Sequence, residues 1–330
     1  MSLPELQNPS SPGHLLSDFP ELSMVEYKLH EVLNRAEGII KDACCSLLHS
    51  GGKRIRPLLT LYSGMCFGSL NTSTINAAVA AELIHMASLI HDDVIDDAAT
   101  RRGFQTINNK HGNLIAILTG DYVFAEAFRI LSSNQLLTSM NFLVQAIQAM
   151  CEGEVNQAGD KFATTATPED YFKRIGKKTG TLLSSCCKSG AATAGASQQE
   201  IDLLGDYGLY LGYSYQIIDD ILDFTGQSDF IGKPTCLDIM NGNITLPVIY
   251  LLESSEHETW LKELIETKKV TPDGITKLRD SLYKTGCLAR SADTAYKCIQ
   301  KAKHSLKDLP DNGYKIKLTE LADRLAVRLK

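Results

Sequence analysis

Residues 77–97 read Ala77-Ala78-Val79-Ala80-Ala81-Glu82-Leu83-Ile84-His85-Met86-Ala87-Ser88-Leu89-Ile90-His91-Asp92-Asp93-Val94-Ile95-Asp96-Asp97. Apolar residues dominate, Ala and Leu favour helix, and neither Gly nor Pro interrupts. On one helix, Glu82, His85, Leu89, Asp92 and Asp96 fall on a single stripe. Asp92 and Asp96 stand one turn apart and project together, with Asp93 on the flank and Asp97 further round. Asp is a poor helix former, and like charges at this spacing repel. A solvated helix end would account for one such run.

It does not account for a second. Gln216-Ile217-Ile218-Asp219-Asp220-Ile221-Leu222-Asp223 repeats the same Asp-Asp-x-x-Asp spacing inside another apolar run. Gly212, Gln216, Asp219 and Asp223 share a stripe. Gly212 lets a neighbouring helix come close, and Gln216 places an amide one turn before Asp219. Two such helices in a bundle would line a cleft with carboxylates on both walls. Carboxylates gathered in this way are costly unless cations neutralise them. Hard oxygen donors without a nearby Cys or His set suit Mg²⁺, which keeps its other positions for water and phosphate oxygens. The two runs therefore point to a metal-dependent enzyme acting on a phosphate or diphosphate ester.

Cations recur at chain breaks. Gly51-Gly52-Lys53-Arg54-Ile55-Arg56-Pro57 carries three, and Arg101-Arg102-Gly103 follows the first aspartate run. Lys177-Lys178-Thr179-Gly180 and Gly232-Lys233-Pro234 complete the set. Arg offers forked donors to phosphate, and Lys a point charge. The Gly-Gly-Lys-Arg run lacks the spacing of a nucleotide P-loop. A lone lysine reads better as a surface charge, and His85 equally well as a hydrogen-bonded core histidine.

With 330 residues, 44% of them hydrophobic, the chain can bury a large core. A net charge of −6 argues against binding nucleic acid. The nine cysteines include no Cys-x-x-Cys pair, so zinc is not expected. They read as reduced thiols packed as small hydrophobes, which implies a cytoplasmic setting. The first twenty residues hold Pro4, Pro9, Pro12 and Pro20 and no apolar core, so no signal peptide is expected. The apolar stretch Ile75 to Ile90, interrupted by Glu82 and His85, reads as a buried helix too short to span a bilayer. Residues 1–22 read as a flexible arm and 23–330 as a single all-α domain. Ser23 and Glu26 are expected to form a capping box; Thr167-Pro168-Glu169-Asp170 and Ser197-Gln198-Gln199-Glu200 mark further helix starts.

The motifs Gly51–Pro57, His91–Gly103, Gly120-Asp121-Tyr122, Glu152-Gly153-Glu154-Val155-x-Gln157, Lys178-Thr179-Gly180, Gln216–Gly226 and Gly232-Lys233-Pro234, in this order, resemble the trans-polyprenyl diphosphate synthases. The match runs from about residue 25 to Arg328. The resemblance implies an isoprenoid synthase fold, an all-α bundle around a central catalytic cavity, and usually a homodimer with three Mg²⁺ per site. It implies that Asp92 and Asp96 hold two ions and Asp219 the third, supported by Asp93, Asp220 and Asp223. Arg101, Lys178 and Lys233 would grip an allylic diphosphate; Lys53, Arg56, His85 and Arg102 would grip isopentenyl diphosphate. Thr179 and Gln216 would face the developing allylic cation.

In this family large side chains one turn before the first aspartates block the product tunnel. Ala87 and Ser88 are small, which implies a product of about thirty to fifty carbons. A shorter farnesyl or geranylgeranyl product is the alternative, as is a catalytic subunit that needs a small second one. A greasy product implies transient membrane contact. Three positions depart from the pattern: Asn243 replaces a usual Lys, Cys236 a frequent Gly, and Tyr215 a usual Phe. A terpene cyclase would lack Lys53, Arg56 and Arg102, and a non-catalytic partner would have lost the aspartates.

Overall fold

The computed structural model describes residues 19–49, 51–225, 236–254, 258–268 and 270–328. After a 3-10 turn at Pro20–Leu22 come α1 (Ser23–Leu33), α2 (Gly38–His49), α3 (Ile55–Met65) and α4 (Thr72–Ile95). A two-stranded hairpin follows, β1 (Thr100–Arg101) and β2 (Phe104–Gln105). Then come α5 (Ile107–His111), α6 (Asn113–Ser133), α7 (Leu137–Gly159) and α8 (Pro168–Ile175). A π-helical turn, Gly176–Gly180, leads into α9 (Thr181–Thr193) and α10 (Gln198–Thr225). The remainder is α11 (Leu237–Met240), α12 (Leu246–Leu252), α13 (Glu258–Glu266), α14 (Pro272–Lys284), α15 (Cys287–Ser305) and α16 (Gly313–Val327). The architecture is all-α. The chain divides into two compact units: residues 1–143 with 186–197, and residues 144–185 with 198–330.

In the first unit α4 is the core. It packs on α6, α3, α1 and α5. Asn71 opens it by accepting from the Thr74 amide at 2.8 Å. Ala77, Ala78, Ala80, Ala81 and Ala87 are fully buried, and their small side chains let neighbouring helices close in. At 24 residues α4 is longer than the apolar stretch that marks it, and long and apolar enough to cross a membrane; its burial within the unit identifies it as a core helix. It also stops earlier than expected. Asp96 is its C-cap, and Asp97 turns left-handed at φ 49°. The Ala98 amide then donates back to the Asp93 carbonyl at 2.9 Å, closing the helix end. Helix α9 reaches α3 through Gly190, where a Cβ would lie 2.0 Å from the Thr60 carbonyl oxygen.

In the second unit α10 is central, packed on α15, the π-helical turn and α12. Gly208 and Gly212 permit this: a Cβ at 208 would lie 2.5 Å from the Leu183 carbonyl oxygen, and one at 212 lies 2.6 Å from the Gly180 Cα. The close approach expected at Gly212 is therefore made by the π-helical turn.

Thr167-Pro168-Glu169-Asp170, expected to start a helix, opens α8 with a capping box between Thr167 and Asp170. Ser23 and Glu26 do not form one: the Ser23 hydroxyl donates to the Pro20 carbonyl at 2.8 Å, and Glu26 pairs with Arg54. Leu22, read as part of a loose arm, is buried at the foot of α1. All nine cysteines are free, and seven of them are buried. Burial pushes the thiols of Cys44 and Cys186 up to about 12, which keeps them protonated and inert.

Candidate active site

The first aspartate run occupies the end of α4. The Asp96 amide donates to the Asp92 carbonyl at 2.8 Å, so both side chains stay one turn apart. Asp92 is half-buried and Asp96 exposed. Asp93 points elsewhere: it is buried, and its Oδ1 accepts from Arg101 Nε at 2.8 Å and Nη2 at 2.7 Å. Arg101 reaches it from the hairpin, whose turn residues Arg102 and Gly103 have φ of 53° and 81°, the handedness a two-residue hairpin turn requires. Asn108 holds the same corner by donating to the carbonyls of Asp93 and Ala98 at 3.1 and 3.2 Å. One residue before the run, the His91 ring lies against Gly120; a Cβ there would fall 2.2 Å from its Nε2. Ala87 is fully buried, and the buried Ser88 turns its hydroxyl onto the His85 carbonyl at 2.9 Å.

Cations gather beside this helix. Arg54, itself at φ 47°, is buried and bridges Glu26 at 2.5 Å and Glu82 at 2.9 Å. The Glu82 partner is a pairing that helical periodicity alone does not reveal. Arg102 donates to the Gly51 carbonyl and lies so close to Gly52 that a Cβ there would meet its Nη1 at 2.9 Å. Lys53 is exposed. Arg56 carries a buried Nε with no hydrogen-bond partner among the described residues. Burial, then the charges of Arg56, Arg102, Arg101 and Arg54, hold the His85 imidazole well below its ordinary range. It is neutral at pH 7 and sits in a positive field that suits an anion.

The second run lies on α10, and its three aspartates diverge. Asp220 is buried and accepts from the Tyr171 hydroxyl at 2.6 Å and from Gln216 Nε2 at 2.9 Å. Asp223 accepts from the amides of Leu237 and Asp238 at 3.2 and 3.3 Å, capping α11. Asp219 pairs with Arg328 at 2.8 Å. Thr179, on the π-helical turn, donates to Gln216 Oε1 at 3.1 Å, so these two predicted residues do meet. Such turns recur at functional sites.

Lys178, on the same turn, pairs with Glu154 at 2.9 Å and donates to Gln157 Oε1 at 3.4 Å. Gln157 donates to Asn243 Oδ1 at 3.2 Å, and Asn243 Nδ2 donates to Asp238 at 3.4 Å. Asn243 thus fills its place as an amide relay between two polar side chains. Burial, then Asp238, pushes the Asp220 carboxyl up to about 7. The Asp223 carboxyl is raised by the same two causes, and that of Asp238 by burial. Glu154 lies in the Glu152-Gly153-Glu154 motif, whereas Tyr171, Asp238 and Arg328 join predicted residues without any spacing in the chain having singled them out. Lys233 lies outside the described residues.

These donors fit a hard divalent cation. Both runs offer carboxylate oxygens, the hard donors that Mg²⁺ prefers over thiols. Among the described residues no three such groups converge into a closed ligand cage.

The sequence model of the polyprenyl synthetase family matches residues 37–282. Heptaprenyl diphosphate synthase component 2 of Bacillus subtilis (strain 168) is 37% identical over 309 residues, covering 93% of this chain and 88% of that protein. The crystal structure of a decaprenyl diphosphate synthase from Rhodobacter capsulatus superposes with a TM-score of 0.90 at 31% identity, covering 96% of this chain and 99% of that one. A polyprenyl synthase from Caulobacter crescentus CB15, complexed with calcium and isoprenyl diphosphate, superposes with a TM-score of 0.86 at 28% identity, covering 98% and 100%.

Proposed function

The chain belongs to the polyprenyl synthetase family, and from that premise we propose how its residues carry out prenyl transfer. It is a trans-prenyltransferase of the medium- to long-chain type, condensing an allylic diphosphate with isopentenyl diphosphate head to tail. The observation that carries this reading is the pair of Asp-Asp-x-x-Asp runs, each in a unit that also presents cations. By the family's pattern Asp92 and Asp96 would hold two Mg²⁺ and Asp219 a third, with Asp93, Asp220 and Asp223 supporting them. When bound, Mg²⁺ supplies positive charge to the departing diphosphate.

The remaining work falls to the chain. Arg101 and Lys178 hold the allylic diphosphate, with Lys233 as a further expected contact. Lys53, Arg56, Arg102 and neutral His85 bind isopentenyl diphosphate, whose oxygens would satisfy the open Arg56 Nε. The Thr179 and Gln216 oxygens face the allylic carbon as it becomes cationic. The isopentenyl double bond attacks that carbon, the carbon–oxygen bond having broken, and the released diphosphate takes the proton lost from the adduct. Apolar helix faces exclude water, which would otherwise quench the cation.

Small, buried Ala87 and Ser88 support a product of about thirty to fifty carbons. The exposed Leu114, Ile117 and Leu118 form an apolar strip on α6 that supports assembly with a second chain. That chain is a second copy in our reading, and a small subunit is the alternative, favoured by the relative named component 2. Nine free thiols support a cytoplasmic setting. The test is condensation of radiolabelled isopentenyl diphosphate with farnesyl diphosphate and Mg²⁺ by the purified chain, with product length read by chromatography. One dominant product above twenty carbons is expected. No turnover from folded, cation-binding protein would instead point to a missing subunit.

A further inference from the structure

Arg328 closes α16 as its C-cap, and its guanidinium rests on α10. Tyr215 and Asp219 stand one turn apart on that helix and both meet it. Arg328 Nη2 donates to Asp219 Oδ1 at 2.8 Å, and its Cζ lies 5.3 Å from the Tyr215 ring centroid. The other terminal nitrogen, Nη1, is buried and has no hydrogen-bond partner among the described residues. Among the described residues the guanidinium meets the Asp219 carboxylate and the Tyr215 face, with part of its donor capacity unspent. A bidentate Arg–carboxylate pair would be far harder to part.

We propose that Arg328 is a resident counter-ion of Asp219, and that a divalent cation gains this carboxylate by displacing it. The proposal rests on reading Asp219 as a metal ligand. A cation and a guanidinium compete for the same oxygen, and linkage makes the competition reciprocal: cation binding loosens the end of α16, and the docked end of α16 weakens cation binding. Both side chains are about one-third exposed, 30% for Arg328 and 38% for Asp219. The pair is thus partly screened, and its removal should alter affinity by roughly two- to fivefold.

The test is Mn²⁺ titration of the full chain without substrate, read by electron paramagnetic resonance, for wild type, Arg328→Gln, Arg328→Lys and Asp219→Asn. Arg328→Gln is expected to tighten the Asp219-dependent site by that factor, and Arg328→Lys to stay near wild type. Unchanged or weaker binding in Arg328→Gln would overturn the proposal. Wild-type binding that Asp219→Asn leaves untouched would remove the metal-ligand reading, and the proposal with it. Hydrogen exchange on the unmodified chain gives a second readout: Mg²⁺ should speed exchange at the C-terminal turn of α16. Unaltered protection there with the cation bound counts against displacement.

Discussion

The Tyr171 hydroxyl donates to Asp220 Oδ2 across 2.6 Å, and both residues are buried. The bond fixes the middle carboxylate of the second run inward, while Asp219 and Asp223 find other partners. It also settles who keeps the proton. Burial, then the Asp220 charge, holds the phenol well above its ordinary range, and the same bond lowers the Asp220 carboxyl against its own burial. Tyr171→Phe should leave Asp220 short of a donor and cost about 1–3 kcal/mol of stability, measurable by urea denaturation. Ionising Asp220 becomes harder, so the rise of Mg²⁺-dependent turnover should move to higher pH.

Gly120→Ala places a methyl 2.2 Å from His91 Nε2, at the residue before Asp92. The imidazole can rotate away, so the chain should fold with a loss of about 1–3 kcal/mol. The displaced helix end should raise the Mg²⁺ concentration needed for half-maximal rate. Gly190→Ala is the contrast: its methyl meets the Thr60 carbonyl at 2.0 Å, and backbone cannot step aside. Its melting temperature should fall further than that of Gly120→Ala.

His85 gives an acid-side signature. Its folded pKa lies well below the ordinary 6.5 because of burial and the neighbouring arginines. As pH falls below about 6.5 the unfolded chain takes a proton that the folded chain refuses. The stability this group confers is whole above that pH and is lost as pH falls toward the folded value. Asp220, raised to about 7, acts in the opposite direction over the same range. The difference between wild type and His85→Gln isolates the histidine: the variant should lose less stability between pH 6.5 and 5 in urea titrations.

Asp92→Ala relieves repulsion at the end of α4, worth about 0.2–0.5 kcal/mol, so stability should hold or rise. Mg²⁺-dependent turnover should nonetheless collapse. A variant that keeps turnover would reduce the first run to an acidic helix end.

Ala87→Tyr tests the product tunnel. Ala87 is fully buried, so a phenol must either enter open space or break the packing. A folded variant with a shorter product is expected by chromatography; a folded variant with unchanged product length would remove Ala87 from the tunnel.

Local chemistry determined much of this protein. Helical periodicity placed Asp92 one turn from Asp96, because side-chain direction along one helix depends on spacing alone; the stripe it drew through Gln216, Asp219 and Asp223 did not predict their partners, since Gln216 turns to Asp220 while Asp219 and Asp223 meet other groups. The helix start at Thr167–Asp170 was legible because both partners of its capping box lie within one turn. The Ser23–Glu26 box had the same local pattern and failed, because Arg54, 28 residues on, takes Glu26. Which neighbour meets each outward-facing group was decided only by packing. Asp220 finds Tyr171 across 49 residues of chain, and Asp219 finds Arg328 across 109. A repeated motif carries one spacing, yet its three carboxylates meet a phenol, a guanidinium and a helix end. A buried charge takes whatever partner the folded chain brings to it, and no local rule encodes that choice.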